Sequence, residues 1–169
     1  MKDLFKNAYV LSQTNGDTRE YWGSNADILC KEYPNIPHDI MEHFFVKHAR
    51  DGKNIMTGIP NLDAHKIIVE QIELNKNELL NTEIIKFAPF ADKIYPHEIK
   101  RSSVYGILEG KYAMVKNGTW SAPVVCIKKD NTYLILDGTT RFRSLVTVMV
   151  NKNDLIKDMH KINLLSIRD

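Results

Sequence analysis

Thr132-Tyr133-Leu134-Ile135-Leu136-Asp137-Gly138-Thr139-Thr140-Arg141-Phe142-Arg143-Ser144-Leu145-Val146-Thr147-Val148-Met149 changes its hydrophobic period half-way along. Tyr133 to Leu136 is a short apolar, β-rich run of the kind that forms a buried strand. Asp137-Gly138 ends it as a turn, and Thr139 and Thr140 are good N-cap residues. From Arg141 onward the spacing is helical, with Phe142, Leu145, Val146 and Met149 on one side. The stretch therefore reads strand, glycine turn, polar cap, helix. A helix start of this kind presents unbonded backbone N–H groups and the positive end of a dipole. Gly138 lets an anion approach the backbone closely. Arg141 sits in the first helical turn, where the dipole disfavours a cation. That placement points to a task such as a bidentate grip on phosphate.

Upstream of this stretch, Val124 to Lys128 reads as a second strand, and Lys129-Asp130-Asn131 as the hairpin turn joining the two antiparallel runs. A helix is expected from Pro96 through His97, Glu98, Ile99, Val104, Ile107, Leu108 and Tyr112 to Val115, stopped by Asn117-Gly118. Lys66 to Leu74 reads as a strand and Lys76 to Leu80 as a helical turn. Residues 51 to 64 are expected to form a loop and a subdomain boundary. Ahead of it, Asp39 caps a helix from Ile40 to Arg50 with Ile40, Met41, Phe44, Phe45 and His48 in a stripe. Ser24 caps a shorter helix to Tyr33, stopped by Pro34. Tyr9-Val10-Leu11 reads as a strand. Downstream, Asp154 to Lys157 fits either period, and Lys161 to Ile167 is expected to be the last strand. The class is α/β or α+β, with a helical N-terminal part over residues 1–60 and a second domain over 65–169.

Composition narrows the function. In 169 residues, 43% are hydrophobic and 26% charged, which is ordinary for a soluble globular chain. The 23 basic and 21 acidic residues leave a net charge of +2, too little for a nucleic-acid or anionic-membrane reader by charge alone. Weak, non-specific DNA contact is the most this balance supports. Two cysteines, Cys30 and Cys126, give neither a disulfide framework nor a zinc pattern. They are expected as free thiols of a reducing cytoplasm. No apolar run reaches membrane-spanning length, and no signal peptide is read. Asp39 and His43 stand one helical turn apart, but without further ligands they make no metal site.

The order of pieces from His65 to Asp169 resembles the ParB/sulfiredoxin superfamily. The matching segments are Gln71-Ile72-Glu73-Leu74, the helix ending at Gly118, Ala122-Pro123-Val124-Val125, and Asp137-Gly138-Thr139-Thr140-Arg141-Phe142-Arg143-Ser144. The last resembles the Gly-Glu-Arg-Arg-Trp-Arg-Ala pattern of partition proteins and the Asp-Gly-His-His-Arg form of nucleotide-using relatives. The resemblance implies a nucleotide-binding domain, ATP or another nucleotide with Mg²⁺, in which Gly138, Thr139, Thr140 and Arg141 line the phosphate site and Arg143 stands beside it. The chain also departs from the family. Thr139 stands where sulfiredoxins carry their cysteine, so sulfinic-acid repair is not expected. No helix-turn-helix is expected, and Thr140 replaces one of the two arginines of the partition motif.

Under this resemblance, Glu73, Glu78 and Asp137 are the candidate carboxylates for holding the metal or activating an acceptor. His97 and Glu98 are further candidates at a helix start. The expected function is NTP hydrolysis or phosphoryl transfer at a Gly-x-x-Arg cradle. The alternatives are a DNA-binding or nuclease-like protein of a plasmid or phage, and a catalytically silent interaction module on the same scaffold. The bland reading of the key stretch is a tight turn with ordinary caps. Oligomeric state is not legible.

Overall fold

The computed structural model describes residues 1–50, 52, 62–81, 85–87, 115–129, 132–151 and 156–167. It is an α+β protein whose chain divides into two compact units, Met1–Val69 with Leu165–Asp169, and Glu70–Leu164.

The first unit is helical. Helix α1 (Lys2–Asn15) occupies the place where Tyr9-Val10-Leu11 suggested a strand. Its buried residues are Leu4, Phe5, Ala8 and Ser12, spaced for one helical face. Gly16 ends α1 at a φ of 115°, and a β-carbon there would lie 2.5 Å from the Tyr21 ring. Helix α2 (Arg19–Glu32) starts five residues before Ser24, which lies inside it and donates its hydroxyl to the Tyr21 carbonyl. The fully buried Asn25 ties the α1–α2 turn, donating to the Gly16 carbonyl at 3.0 Å and accepting from Asn15 at 3.1 Å. A buried amide needs such partners.

The third helix opens as α3 (His38–Ile40) with Pro37 in the capping position. Asp39 is therefore in the first turn and is not the cap. The helix then continues as a π-helix, Met41–Val46. The Lys47 amide donates to the Glu42 carbonyl, five residues back. Phe44 and Phe45 close on Phe5 with ring centroids 5.6 and 5.1 Å away, aromatic spacing that adds to simple burial. A 3₁₀ turn (Ala64–Lys66) leads to the sheet, and Asn35 holds its ends by donating to the Ala64 and Ile67 carbonyls.

The sheet is mixed, and most of it lies in the second unit. Its strands are β1 (Ile67–Asn75), β2 (Ile85–Phe87), β5 (Val124–Lys129), β6 (Thr132–Asp137) and β7 (Met159–Ile167), ordered β1-β7-β5-β6-β2. Strands β5 and β6 pair antiparallel with Lys129 opposite Thr132, and β2 runs parallel to β6. This is the hairpin expected from sequence, although its turn residues Asp130 and Asn131 lie outside the described set. Helix α4 (Lys76–Leu80) follows β1 directly, and helix α5 (Thr139–Asn151) follows β6.

A small separate hairpin, β3 (Val115–Lys116) and β4 (Thr119–Trp120), replaces the end of the helix expected to run to Val115. Asn117 and Gly118 have φ of 50° and 76°. Two positive φ values at the central residues suit a type I′ hairpin turn, for which Asn-Gly is a strong signal. The pair therefore turns a hairpin and does not stop a helix. The rest of that expected helix, with His97, Glu98 and Tyr112, lies outside the described residues.

The core lies between α5 and the sheet. It joins Val124 and Cys126, Ile135, Phe142, Leu145, Val146, Val148 and Met149, Ile162 and Leu164, with Leu74, Leu79 and Trp120. Helix α5 buries two of its hydroxyl side chains. Ser144 and Thr147 donate to the carbonyls of Thr140 and Arg143, four residues back. This local bonding makes their burial tolerable. Among the described residues no helix is long and apolar enough to cross a membrane.

Candidate phosphate-binding turn

The turn from β6 into α5 is set by one glycine and one ion pair. Gly138 has a φ of 90°, a conformation that L side chains rarely adopt. Its carbonyl accepts the first helical bond, from the Phe142 amide at 2.8 Å. Gly138 is therefore the N-cap, with Thr139 and Thr140 one step further in as the first helical residues. The sequence expectation of a threonine cap is shifted by one residue, because a left-handed backbone suits glycine there.

Arg141 folds back over this glycine. Its Nη2 donates to Asp137 Oδ2 at 2.9 Å, and the two side chains are only 21% and 11% exposed. A β-carbon at Gly138 would lie 2.8 Å from Arg141 Nη2 and 2.7 Å from Val124 Cγ1. The guanidinium thus lies where a side chain at residue 138 would be. A β-bulge adjoins the site. Val125 faces Asp137 and Cys126 faces Ile135, so Leu136 is an extra residue on β6. Bulges of this kind re-aim the side chains next to them, here the Asp137 carboxylate. That carboxylate offsets the cost of a cation at a helix N-terminus.

The other candidates stand apart to different degrees. Thr139 is half-buried and Thr140 exposed, both in the first turn. Arg143 is half-buried. Two residues on from Arg141, it faces a different side of the helix, since residues two apart do not meet. Glu73 is an exposed residue of β1. Two strands separate β1 from β6, which at sheet spacing is roughly 14 Å. Glu78 belongs to the start of α4. Its Oε2 accepts from the Asn75 amide at 2.7 Å while Asn75 Oδ1 accepts from the Glu78 amide at 3.0 Å. This reciprocal capping box gives Glu78 a structural task. Of the three candidate carboxylates, Asp137 alone is at the turn. Asp39 is exposed, and His43 is paired with Glu42 at 3.8 Å. Among the described residues no group of three or more His, Cys, Asp or Glu side chains could hold a metal ion.

One polar cluster escaped sequence reading. His160, 1% exposed, bonds Thr119 Oγ1 through Nδ1 at 2.9 Å, and Trp120 Nε1 donates to the Lys161 carbonyl at 2.8 Å. The signal was present, since His160, Ile162 and Leu164 are the inward positions of an alternating strand. Starting that strand at Lys161 concealed it.

No family model, curated protein or solved structure matches the chain.

Proposed function

We propose that the protein binds a nucleotide by its phosphates at the β6–α5 turn, with Mg²⁺ carried on the nucleotide, and hydrolyses or transfers a phosphoryl group there. The observation that supports this reading is the position of Arg141, a largely buried guanidinium laid against Gly138 at the positive end of a thirteen-residue helix. A cation is placed there at some electrostatic cost, and an anion offsets it. Asp137 supplies one negative charge, whereas a phosphate supplies more and matches the guanidinium fork in two places. A guanidinium has five N–H donors, and the contact with Asp137 uses Nη2. The remaining donors, the backbone amides of Thr139 and Thr140, and their hydroxyls would hold phosphate oxygens. Those amides have no partner within the helix, as the geometry of any helix start requires.

Bound on the nucleotide, Mg²⁺ would neutralise charge on the phosphoryl oxygens. It takes one or two protein carboxylates beside the phosphates and retains waters, which fits a turn with one carboxylate. Once Arg141 turns to phosphate, the Asp137 carboxylate stands beside the bound group, where it would hold the cation or orient the acceptor.

The test is a thermal-unfolding series with ATP, ADP, CTP and GTP, each with and without Mg²⁺, joined to a phosphate-release assay. One nucleotide is expected to raise the unfolding temperature. Arg141→Ala is expected to bind it at least tenfold more weakly, since a charge-assisted hydrogen bond contributes about 1.5–3 kcal/mol. No shift with any nucleotide at millimolar concentration would retire the reading.

A second reading rests on the same ion pair. Asp137 and Arg141, four residues apart and bonded at 2.9 Å, latch the strand to the helix by themselves. The domain is then a catalytically silent interaction scaffold. Here Arg141→Ala lowers stability and changes no ligand response, because there is none.

A further inference from the structure

We propose that His160 is an acid-sensitive clasp that fastens the β3–β4 hairpin to β7, closed by the neutral imidazole and opened by the imidazolium. Among the described residues, three bonds join the hairpin to β7 and the residues just ahead of it. The Lys157 amide donates to the Gly118 carbonyl at 3.0 Å, Thr119 Oγ1 bonds His160 Nδ1 at 2.9 Å, and Trp120 Nε1 donates to the Lys161 carbonyl at 2.8 Å. Of these, only the middle one contains a group that titrates near neutrality. It is also the central one, with His160 1% exposed and the Trp120 ring centroid 5.6 Å from its own.

The ring is poorly placed to take a second proton. Nδ1 has Thr119, whereas Nε2 is buried without a hydrogen-bond partner. An imidazolium has two N–H donors, and Nε2 forms no hydrogen bond of ordinary geometry; the Lys157 backbone favours the charged form, but burial disfavours it more. Among the described residues, the charges acting on the ring come from three. Lys76, at the start of α4, and Lys157, ahead of β7, disfavour a further cation, while the Asp158 carboxylate favours it. Asp158 is 91% exposed and already paired with Lys76 at 3.2 Å. From β5, burial keeps the Cys126 thiol neutral. Burial is the largest influence and pushes the His160 pKa below its ordinary 6.5; the Lys157 backbone and Asp158 oppose it without outweighing it.

Linkage fixes the sign. The closed clasp binds the proton less readily than the open one, so acidification below about 6.5 favours opening. The hairpin packs on α5, and Trp120 is part of the core that also holds Phe142 and Leu145. Opening therefore loosens the support of the helix that starts at Gly138. The clasp stands whether or not that turn binds phosphate.

The test is hydrogen exchange of the two tryptophan indole N–H groups followed by NMR from pH 7.5 to 5, corrected for the intrinsic effect of pH. The corrected rate at Trp120 is expected to rise as pH falls, about tenfold for each unit by which the closed-state pKa lies below 6.5. Trp22, bonded to the Asp17 carbonyl in the other unit, serves as the internal control and should stay level. His160→Asn, which keeps a polar atom near the Nδ1 position and cannot titrate, should flatten the Trp120 response. A level response in the parent chain overturns the clasp, as does an equal rise in the variant. If His160→Asn does not fold, the ring's own titration in the parent chain decides. A midpoint below 6.5 that coincides with the Trp120 rise supports the clasp, and a midpoint at or above 6.5, or a rise elsewhere in pH, overturns it.

Discussion

Asn117-Gly118-Thr119-Trp120 and Asp137-Gly138-Thr139-Thr140 are almost the same word, yet they build different devices. Both glycines have a positive φ. In the first, Asn117 shares the left-handed conformation and the chain doubles back as a two-residue hairpin. In the second, only Gly138 is left-handed and the chain runs on into α5. The turn residues do not decide between these outcomes; the residues downstream of each turn do. After Gly138 come Phe142, Leu145, Val146 and Met149, an apolar face for the sheet. After Gly118, Trp120 enters the core and Pro123 stands three residues further on, where a helix could not easily continue. A glycine turn sets where a chain bends, while burial of the next residues sets what it becomes.

The greatest loss of stability is expected at Phe142. If its burial drives α5, Phe142→Ala should cost about 3–5 kcal/mol, measured as the loss of unfolding free energy in urea. A cost under about 1 kcal/mol would mean that the turn and not the face specifies the helix. The glycines come next. Gly138→Ala combines backbone strain of about 1–3 kcal/mol with contacts under 3 Å to Val124 and Arg141. Gly118→Ala carries backbone strain of about 1–2 kcal/mol, its φ being 76°. The first should exceed the second by about 1 kcal/mol or more in the same urea titration, and equal costs would dismiss the crowding at Gly138. The smallest effect belongs to Asn117→Ala, about 1 kcal/mol, because asparagine tolerates the left-handed region better than alanine. A neutral result there would show that the hairpin is held by its bonds to Lys157, His160 and Lys161, with the turn itself contributing little.

Legibility obeyed the same rule. The β5–β6 hairpin and α5 were readable because each has a strong period and a large apolar face. The α4 turn was readable in outline, but its Glu78 looked like a catalytic candidate until the bonds with Asn75 identified a cap. Helix α1 was misread because its inward face is weak. Ala8 and Ser12 contribute little apolar signal, whereas Tyr9 and Val10, which suggested a strand, are 44% and 51% exposed. At the candidate site the residue types were visible, but not their mutual positions. No spacing rule says that Arg141 bends back to Asp137, or that a bulge at Leu136 re-aims that carboxylate, because both depend on how β6 meets β5.

The π-helix at Met41–Val46 makes chain length itself a variable. Its wider winding holds one residue more than an α-helix would over the same path, and it buries Phe44, Phe45 and Val46 in succession. Each residue of an α-helix turns the chain by about 100°. Deleting a single residue here would rewind the segment to α pitch and swing one of the two phenylalanines away from Phe5. Substitutions in this segment change what fills the aromatic cluster, but a deletion changes which residues can reach it. A length change of one is therefore a larger event here than in a loop.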